Sequence, residues 1–423
     1  MDPAGSADTT EEAVLPMPHP RRAVRRTAVA AVVAATSVAL SSAAVPARAD
    51  EGVRAEEWWL VTLAAEEIWK EHTRGEGVVV AVIDSGVIPT GDLEGAVLPG
   101  FSYDGSGRGD TTTDPDFHGT SMATLIAGRG TGDGVLGIAP EATILPVRLP
   151  RGPNDDDTTQ ALRTLAAMDD PPEVVNMSID SGGGECSSDM QEAVRAAVDK
   201  GMILVASMGN DHSSIDYPQS PASCPGVLGV GAFGWNNFGF RPDDAPDLRI
   251  WSKSEHQPYA AFAAPGVHVI TFLPGRDEPF YVDGTSDSAA IASGSIALVR
   301  AAYPDMPSRE LVARLIASAK HLDLPAGTRD PAWGFGVLRP RSAIEDTIPT
   351  DAPNPIYDEL DEVAPPSATP GAPAGNGLDD PGAVSGSAGA VDREALVLAG
   401  FAGGLVLLGL VAAGVVLLVR RRG

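Results

Sequence analysis

The chain has 423 residues, 43% of them hydrophobic, enough for one large domain with accessory segments or for two ordinary domains. Its formal net charge is −27. That balance excludes a phosphate-neutralising surface, so no nucleic acid partner is expected, and it argues against a basic patch lying on an anionic membrane.

The first predicted element is an export signal within residues 1–49. Arg21, Arg22, Arg25 and Arg26 precede an apolar run over 28–45, and Ala47-Arg48-Ala49 supplies small residues for cleavage. Residues 50–347 follow as the main body. Within it, short β-branched or apolar runs alternate with helical patterns. Strands are predicted over 78–83, 144–149, 174–179, 202–207, 227–231 and 267–272, and helices over 158–168, 189–200, 286–302 and 308–319. Near-continuous apolar strands separated by helices imply an α/β fold with a mainly parallel central sheet covered on both faces, a three-layer arrangement. Residues 348–394 are rich in Pro, Ala, Gly, Ser and Asp and read as an extended linker. Residues 395–419 carry no charge and are long enough to cross a bilayer as a transmembrane helix; Arg420, Arg421 and Arg422 then place residues 420–423 on the cytoplasmic side. The expected location is a cell membrane crossed once, with the body outside.

Three local patterns stand out in the body. Ala81-Val82-Ile83-Asp84-Ser85-Gly86 ends the first strand, Asp116-Phe117-His118-Gly119-Thr120-Ser121 opens a small-residue helix, and Gly284-Thr285-Ser286-Asp287-Ser288-Ala289 opens another. Each alone is common: an Asp closing a strand is often a turn residue, and Gly-Thr-Ser occurs in many loops. Their order, Asp then His then Ser, is the one found in subtilisin. With Gly137-Ile138-Ala139-Pro140 and Ala263-Ala264-Pro265-Gly266-Val267, the blocks resemble the subtilisin-like serine proteases (subtilases) from about Gly75 to Pro340.

The resemblance implies a subtilisin-like fold and a serine endopeptidase acting on a polypeptide substrate through an acyl-enzyme. A serine hydroxyl needs a base. His118 would take the Ser286 proton, and Asp84 would fix the imidazole tautomer and stabilise its protonated form. Asn210, at the end of Val205-Ala206-Ser207-Met208-Gly209-Asn210, resembles the family's oxyanion asparagine. Asn176 to Gly183 resembles the strand that pairs with substrate backbone, so Ser178, Ile179 and Asp180 are expected to bind substrate by β-augmentation, with Ser207 and Gly209 lining the primary specificity pocket. Asp180, where the family often has glycine, would favour basic or polar side chains. Two departures are notable: Asp287 stands where methionine often follows the nucleophile, and Ala290 where proline usually closes the block. A carboxylate beside Ser286 should oppose the oxyanion and raise the His118 pKa.

Cys186 and Cys224 are the two cysteines of the chain and form no CxxC pair. In an oxidising compartment one disulfide is the natural reading, two separate buried thiols the alternative. His72, His212, His256, His268 and His321 share no ligand spacing, so no metal site is expected. Subtilisins often bind calcium, but Gly130 to Gly134 is too short and too poor in oxygen ligands to support a site; no cofactor is expected. Trp58-Trp59-Leu60 and Ile68-Trp69 lie between the signal and the Asp block. With the linker and terminal anchor they resemble the mycosins, proteases associated with type VII secretion in actinobacteria. That likeness implies processing of exported substrates or a structural role beside a secretion channel. The competing function is a pseudoprotease that binds peptides or braces a secretion complex. An α/β-hydrolase esterase is excluded, because Ser286 lies in no G-x-S-x-G elbow and the residue order differs.

Overall fold

Runs of Val, Ile and Leu without polar interruption become strands buried on successive residues, which requires cover on both faces of the sheet. The computed structural model describes residues 52–363 apart from 90, 104–111, 133, 181–183, 213–215, 236–247, 272–278 and 321–323. Its strands are β1 (Val79–Asp84), β2 (Phe101–Ser102), β3 (Thr143–Arg148), β4 (Val174–Met177), β5 (Ile203–Ser207), β6 (Val227–Trp235), β7 (Leu248–Ile250), β8 (Ala260–Pro265), β9 (Val269–Thr271) and β10 (Phe280–Val282). The main sheet runs β2-β3-β1-β4-β5-β6-β7, with β8 also paired to β6. Its pairs are parallel except β6 with β7.

The helices are α1 (Val53–Glu56), α2 (Trp58–Thr62), α3 (Ala65–Glu71), α4 (His118–Ala127), α5 (Asp155–Ala166), α6 (Ser188–Asp199), α7 (Thr285–Ala302), α8 (Ser308–Ser318), α9 (Pro340–Glu345) and α10 (Pro355–Glu362). Helices α4 and α7 pack on one another and on the sheet; α5 and α6 form a second pair, with α6 against β5. After β1 the sheet grows first toward β3 and then, on the opposite side, toward β4. The carboxyl end of β1 is therefore a topological switch point, where open parallel sheets present their functional residues.

Several elements depart from the sequence expectation. Helix α5 starts at Asp155 rather than 158, because Asn154 and Asp157 cap it reciprocally, each side chain accepting from the other's N–H at 3.1 Å. The run over 267–272 does not join the main sheet: its β9 portion pairs antiparallel with β10. Strand β8, Ala-Ala-Phe-Ala-Ala-Pro, was not expected, since it lacks the β-branched residues that mark its neighbours.

Part of the linker expected over 348–394 is folded instead. Residues Pro355–Glu362 are helix α10, capped by Asn354 and seated by buried Ile356, Tyr357 and Leu360. Arg329 Nη1 meets Glu359 at 2.5 Å, Arg309 makes a paired contact with Asp361 at 2.9 and 2.8 Å, and Arg195 donates to the Leu360 and Val363 carbonyls. Three apolar residues at helical spacing, hidden in a Pro-rich context, account for the difference. Among the described residues no helix is long and apolar enough to cross a membrane. The export signal, the rest of the linker and the 395–419 segment lie outside the described residues.

The N-terminal extension belongs to the body. Trp58, Trp59, Leu60, Leu63 and Ile68 are buried in the common core. The Trp58 indole donates to the His268 carbonyl at 3.2 Å, and that of Trp69 to the Ile138 carbonyl at 2.9 Å. Cys186 and Cys224 are joined by a disulfide that ties the start of α6 to the turn before β6, across 38 residues of sequence.

Candidate active site

Strand β1 delivers Asp84 at its last position, nearly fully buried. His118 is the first residue of α4, and its Nδ1 lies 2.9 and 3.0 Å from the two carboxylate oxygens of Asp84. This approach depends on Gly119. A β-carbon there would stand 2.2 Å from the Gly86 carbonyl and 3.0 Å from the Asp84 β-carbon, so any larger residue would push α4 off the strand. Asp114, which sequence reading passed over, completes the junction. Its carboxylate accepts from Ser85 Oγ at 2.7 Å and from the Thr120 N–H at 2.8 Å, tying the end of β1 to the first turn of α4. An acidic residue just ahead of a helix start was the available signal.

Ser286 stands in the first turn of α7, where backbone N–H groups have no partner within the helix. Its Oγ donates to the Ser178 carbonyl at 3.3 Å, while Ser178 Oγ donates to the Ser286 carbonyl at 2.8 Å. Among the described residues no hydrogen bond joins Ser286 Oγ to the His118 ring. Such contacts are often long in the free enzyme and tighten with substrate. Ser178 is buried, and the Asn176 amide donates to its hydroxyl at 3.1 Å, so its side chain braces the Ser286 turn from below rather than lining an open surface. Ile179 is half-buried, its carbonyl taking the Ser207 hydroxyl at 3.3 Å; Asp180 is exposed.

Asn210 lies exposed beside this turn, and Thr285 sets its orientation. The Thr285 N–H and hydroxyl donate to Asn210 Oδ1 at 2.9 and 2.8 Å, which turns the amide nitrogen away from Thr285. Thr285 Oγ1 also accepts from the Gly209 N–H at 3.1 Å. Thr285 was visible in the Gly-Thr-Ser block but carried no role there; next to Ser286, it ties the Gly209–Asn210 turn to the start of α7. Gly209 has φ +107°, and a β-carbon would meet Gln219 at 2.8 Å and Glu255 at 2.9 Å, so the turn admits only glycine. Glu255 is fully buried behind it.

The charges are strongly coupled. The neighbouring Asp84 carboxylate, against the opposing effect of burial, pushes the His118 pKa up to about 9, with Asp287 and Asp114 adding to the rise. Asp287 is only 4% exposed, and burial pushes its pKa up to about 7 despite the attraction of His118. The histidines expected to share nothing do meet in part: His212 and His256 come together with Asp216, while His72 lies by Glu345.

A profile of the subtilase family matches residues 75–336. Mycosin-1 of Mycolicibacterium smegmatis is 31% identical over 359 residues, covering 71% of this chain and 75% of its own. Among solved structures, the MycP3 protease from the type VII (ESX-3) secretion system superimposes with a TM-score of 0.56 at 29% identity, over 68% of this chain and 88% of its own. Fervidolysin from Fervidobacterium pennivorans, a keratinolytic enzyme related to subtilisin, gives 0.58 at 26% identity; this chain spans 46% of its length. A family match over most of the folded body, on a mainly parallel sheet with the Asp84–His118 pair at its switch point, makes this chain a member of the subtilase family of serine endopeptidases, similar within it to the mycosins.

Proposed function

We propose that the chain is an extracellular serine endopeptidase anchored in the cell membrane, with Asp84, His118 and Ser286 as its triad and Asn210 as an oxyanion donor. The observation that carries this reading is the contact of His118 Nδ1 with both Asp84 oxygens at 2.9 and 3.0 Å. A carboxylate on Nδ1 holds the proton there and leaves Nε2 as the base.

Ser286 Oγ rotates from the Ser178 carbonyl toward His118, gives its proton to Nε2 and attacks the scissile carbonyl carbon. The resulting oxyanion is met by the Asn210 amide and the Ser286 N–H. The imidazolium then protonates the leaving amine, and an acyl-enzyme remains. A water molecule, deprotonated by His118, attacks the ester; collapse returns the proton to Ser286 and releases the acid. Substrate backbone would pair along 178–180, with Ser207 and Gly209 walling the adjoining pocket.

Export through residues 1–49 and a span over 395–419 would place this site outside the membrane, with 420–423 inside. The MycP3 protease comes from the type VII (ESX-3) secretion system, which suggests the same setting for this chain. The test is hydrolysis of a peptide library by the purified full-length chain, combined with protease shaving of intact cells. Turnover lost in Ser286→Ala, and a body cleaved from the cell surface, are expected. Equal turnover in Ser286→Ala, or a body protected until the cells are lysed, would contradict it; a folded chain without turnover would instead favour the peptide-binding pseudoprotease.

A further inference from the structure

Two segments far apart in sequence are laced together beside the Asn210 turn. Glu255 N–H donates to the Gly209 carbonyl at 3.2 Å, His212 N–H to the Lys253 carbonyl at 3.1 Å, and Tyr217 N–H to Glu255 Oε2 at 3.1 Å. The lacing brings His212 and His256 face to face, with ring centroids 4.0 Å apart. Asp216 closes the group: its Oδ1 accepts from His212 Nδ1 at 2.6 Å and from the His256 N–H at 3.2 Å. Each of the three side chains offers one ligand atom, all within 4.8 Å of one another.

A second carboxyl group stands beside this group. Glu255 is fully buried with the Asp216 carboxyl beside it, and its Oε1 has no hydrogen-bond partner. The nearby Lys253 ammonium is placed over the Trp251 ring, 5.7 Å from its centroid. The other cluster of this kind, Glu71, His72 and Glu345, is different: it is exposed, and Arg341 already meets Glu71 at 3.1 Å and Glu345 at 2.8 Å.

We propose that His212, Asp216 and His256 bind one divalent transition-metal ion of the zinc class, with Glu255 as the adjoining carboxylate. Two imidazoles and a carboxylate suit zinc, cobalt or nickel; calcium and magnesium prefer all-oxygen sites. The ion would take the place of the His212–Asp216 hydrogen bond and bring positive charge to the unpartnered Glu255 oxygen. It would also clamp His212 and Asp216 to His256, and so hold the Gly209–Asn210 turn, which Glu255 N–H already ties down. The site is independent of whether the triad cleaves peptides.

The experiment uses the full-length chain, stripped with a chelator and titrated with Zn²⁺, and with Co²⁺ as a spectroscopic probe. One ion per chain is expected, with cobalt bands typical of imidazole ligation. Both signals should disappear in His212→Ala and in His256→Ala and persist in His72→Ala, while Glu255→Gln should weaken binding at least about tenfold. Zinc-edge X-ray absorption on the wild type needs no variant; it should show imidazole nitrogen and carboxylate oxygen at about 2.0–2.2 Å. Failure of the wild type to take up a stoichiometric ion, a coordination shell without imidazole, or binding lost with His72→Ala instead, would overturn the proposal.

Discussion

Asp287 sits in the first turn of α7, one residue beyond Ser286, buried where the helix terminus favours a negative charge. Burial outweighs that favour and pushes its pKa up to about 7. Its charged form in turn helps hold His118 protonated, after the larger effect of Asp84. In its proposed role as the base, His118 with a pKa of about 9 is mostly protonated at neutral pH, so kcat/KM for peptides should rise with pH toward that value. Asp287→Asn should move the rise to lower pH and increase activity near neutrality; an unchanged profile would contradict the coupling. The same residue affects stability. Its folded pKa of about 7 exceeds its ordinary value of 3.8, so the folded state binds the extra proton between those limits and Asp287 destabilises increasingly as pH rises through them. Thermal melts of Asp287→Asn against wild type should therefore coincide below about pH 4 and show a gain above about pH 8. Asn210→Ala should lower kcat by about 10²–10³-fold, the loss seen for the subtilisin asparagine variant; steady-state kinetics on a peptide reads this directly.

At the scale of elements, helices α1 to α3 are part of the core rather than a detachable leader. Trp59 is fully buried, and Trp58 packs edge-on against Phe233 at 6.1 Å and Trp235 at 5.9 Å. Trp59→Ala should destabilise the body by about 3–5 kcal/mol, measured by denaturant unfolding; a loss under about 1 kcal/mol would mean that the extension is only draped on the surface. The central strands and long helices were legible because β-branched runs and helical spacing state their own geometry. Strand β8 was not, since alanine carries no strand signal and its place is set by β6. Helix α10 was hidden because its three core residues sit in Pro-rich sequence that composition reads as linker. In the candidate site, motifs and order single out Asp84, His118 and Ser286, and the structure brings Asp84 and His118 to 2.9 Å of each other. Thr285 and Asp114 were not, because their roles arise only when separate turns are folded against each other.

For the whole molecule, the Cys186–Cys224 bridge closes a loop of 38 residues and suits a body working in an oxidising compartment. Closing such a loop contributes about 4 kcal/mol in the chain-entropy account. Reduction, or paired Cys186→Ser and Cys224→Ser substitution, should lower the melting temperature by several degrees while leaving the Asp84–His118 contact in place; an unchanged melt would place the stabilising constraint elsewhere. The disulfide ties the start of α6 to the turn before β6, and α10 is held on α6 and α8 through Arg195 and Arg309.

The central claim is that Ser286 is a nucleophile made reactive by His118 and Asp84. A fluorophosphonate probe applied to the folded full-length chain, followed by peptide mapping, tests it most directly. The account predicts one adduct per chain on Ser286, formed faster as pH rises toward about 9, and absent in Ser286→Ala and His118→Ala. A folded wild-type chain that stays unlabelled across that range, or is labelled at another residue, would contradict it.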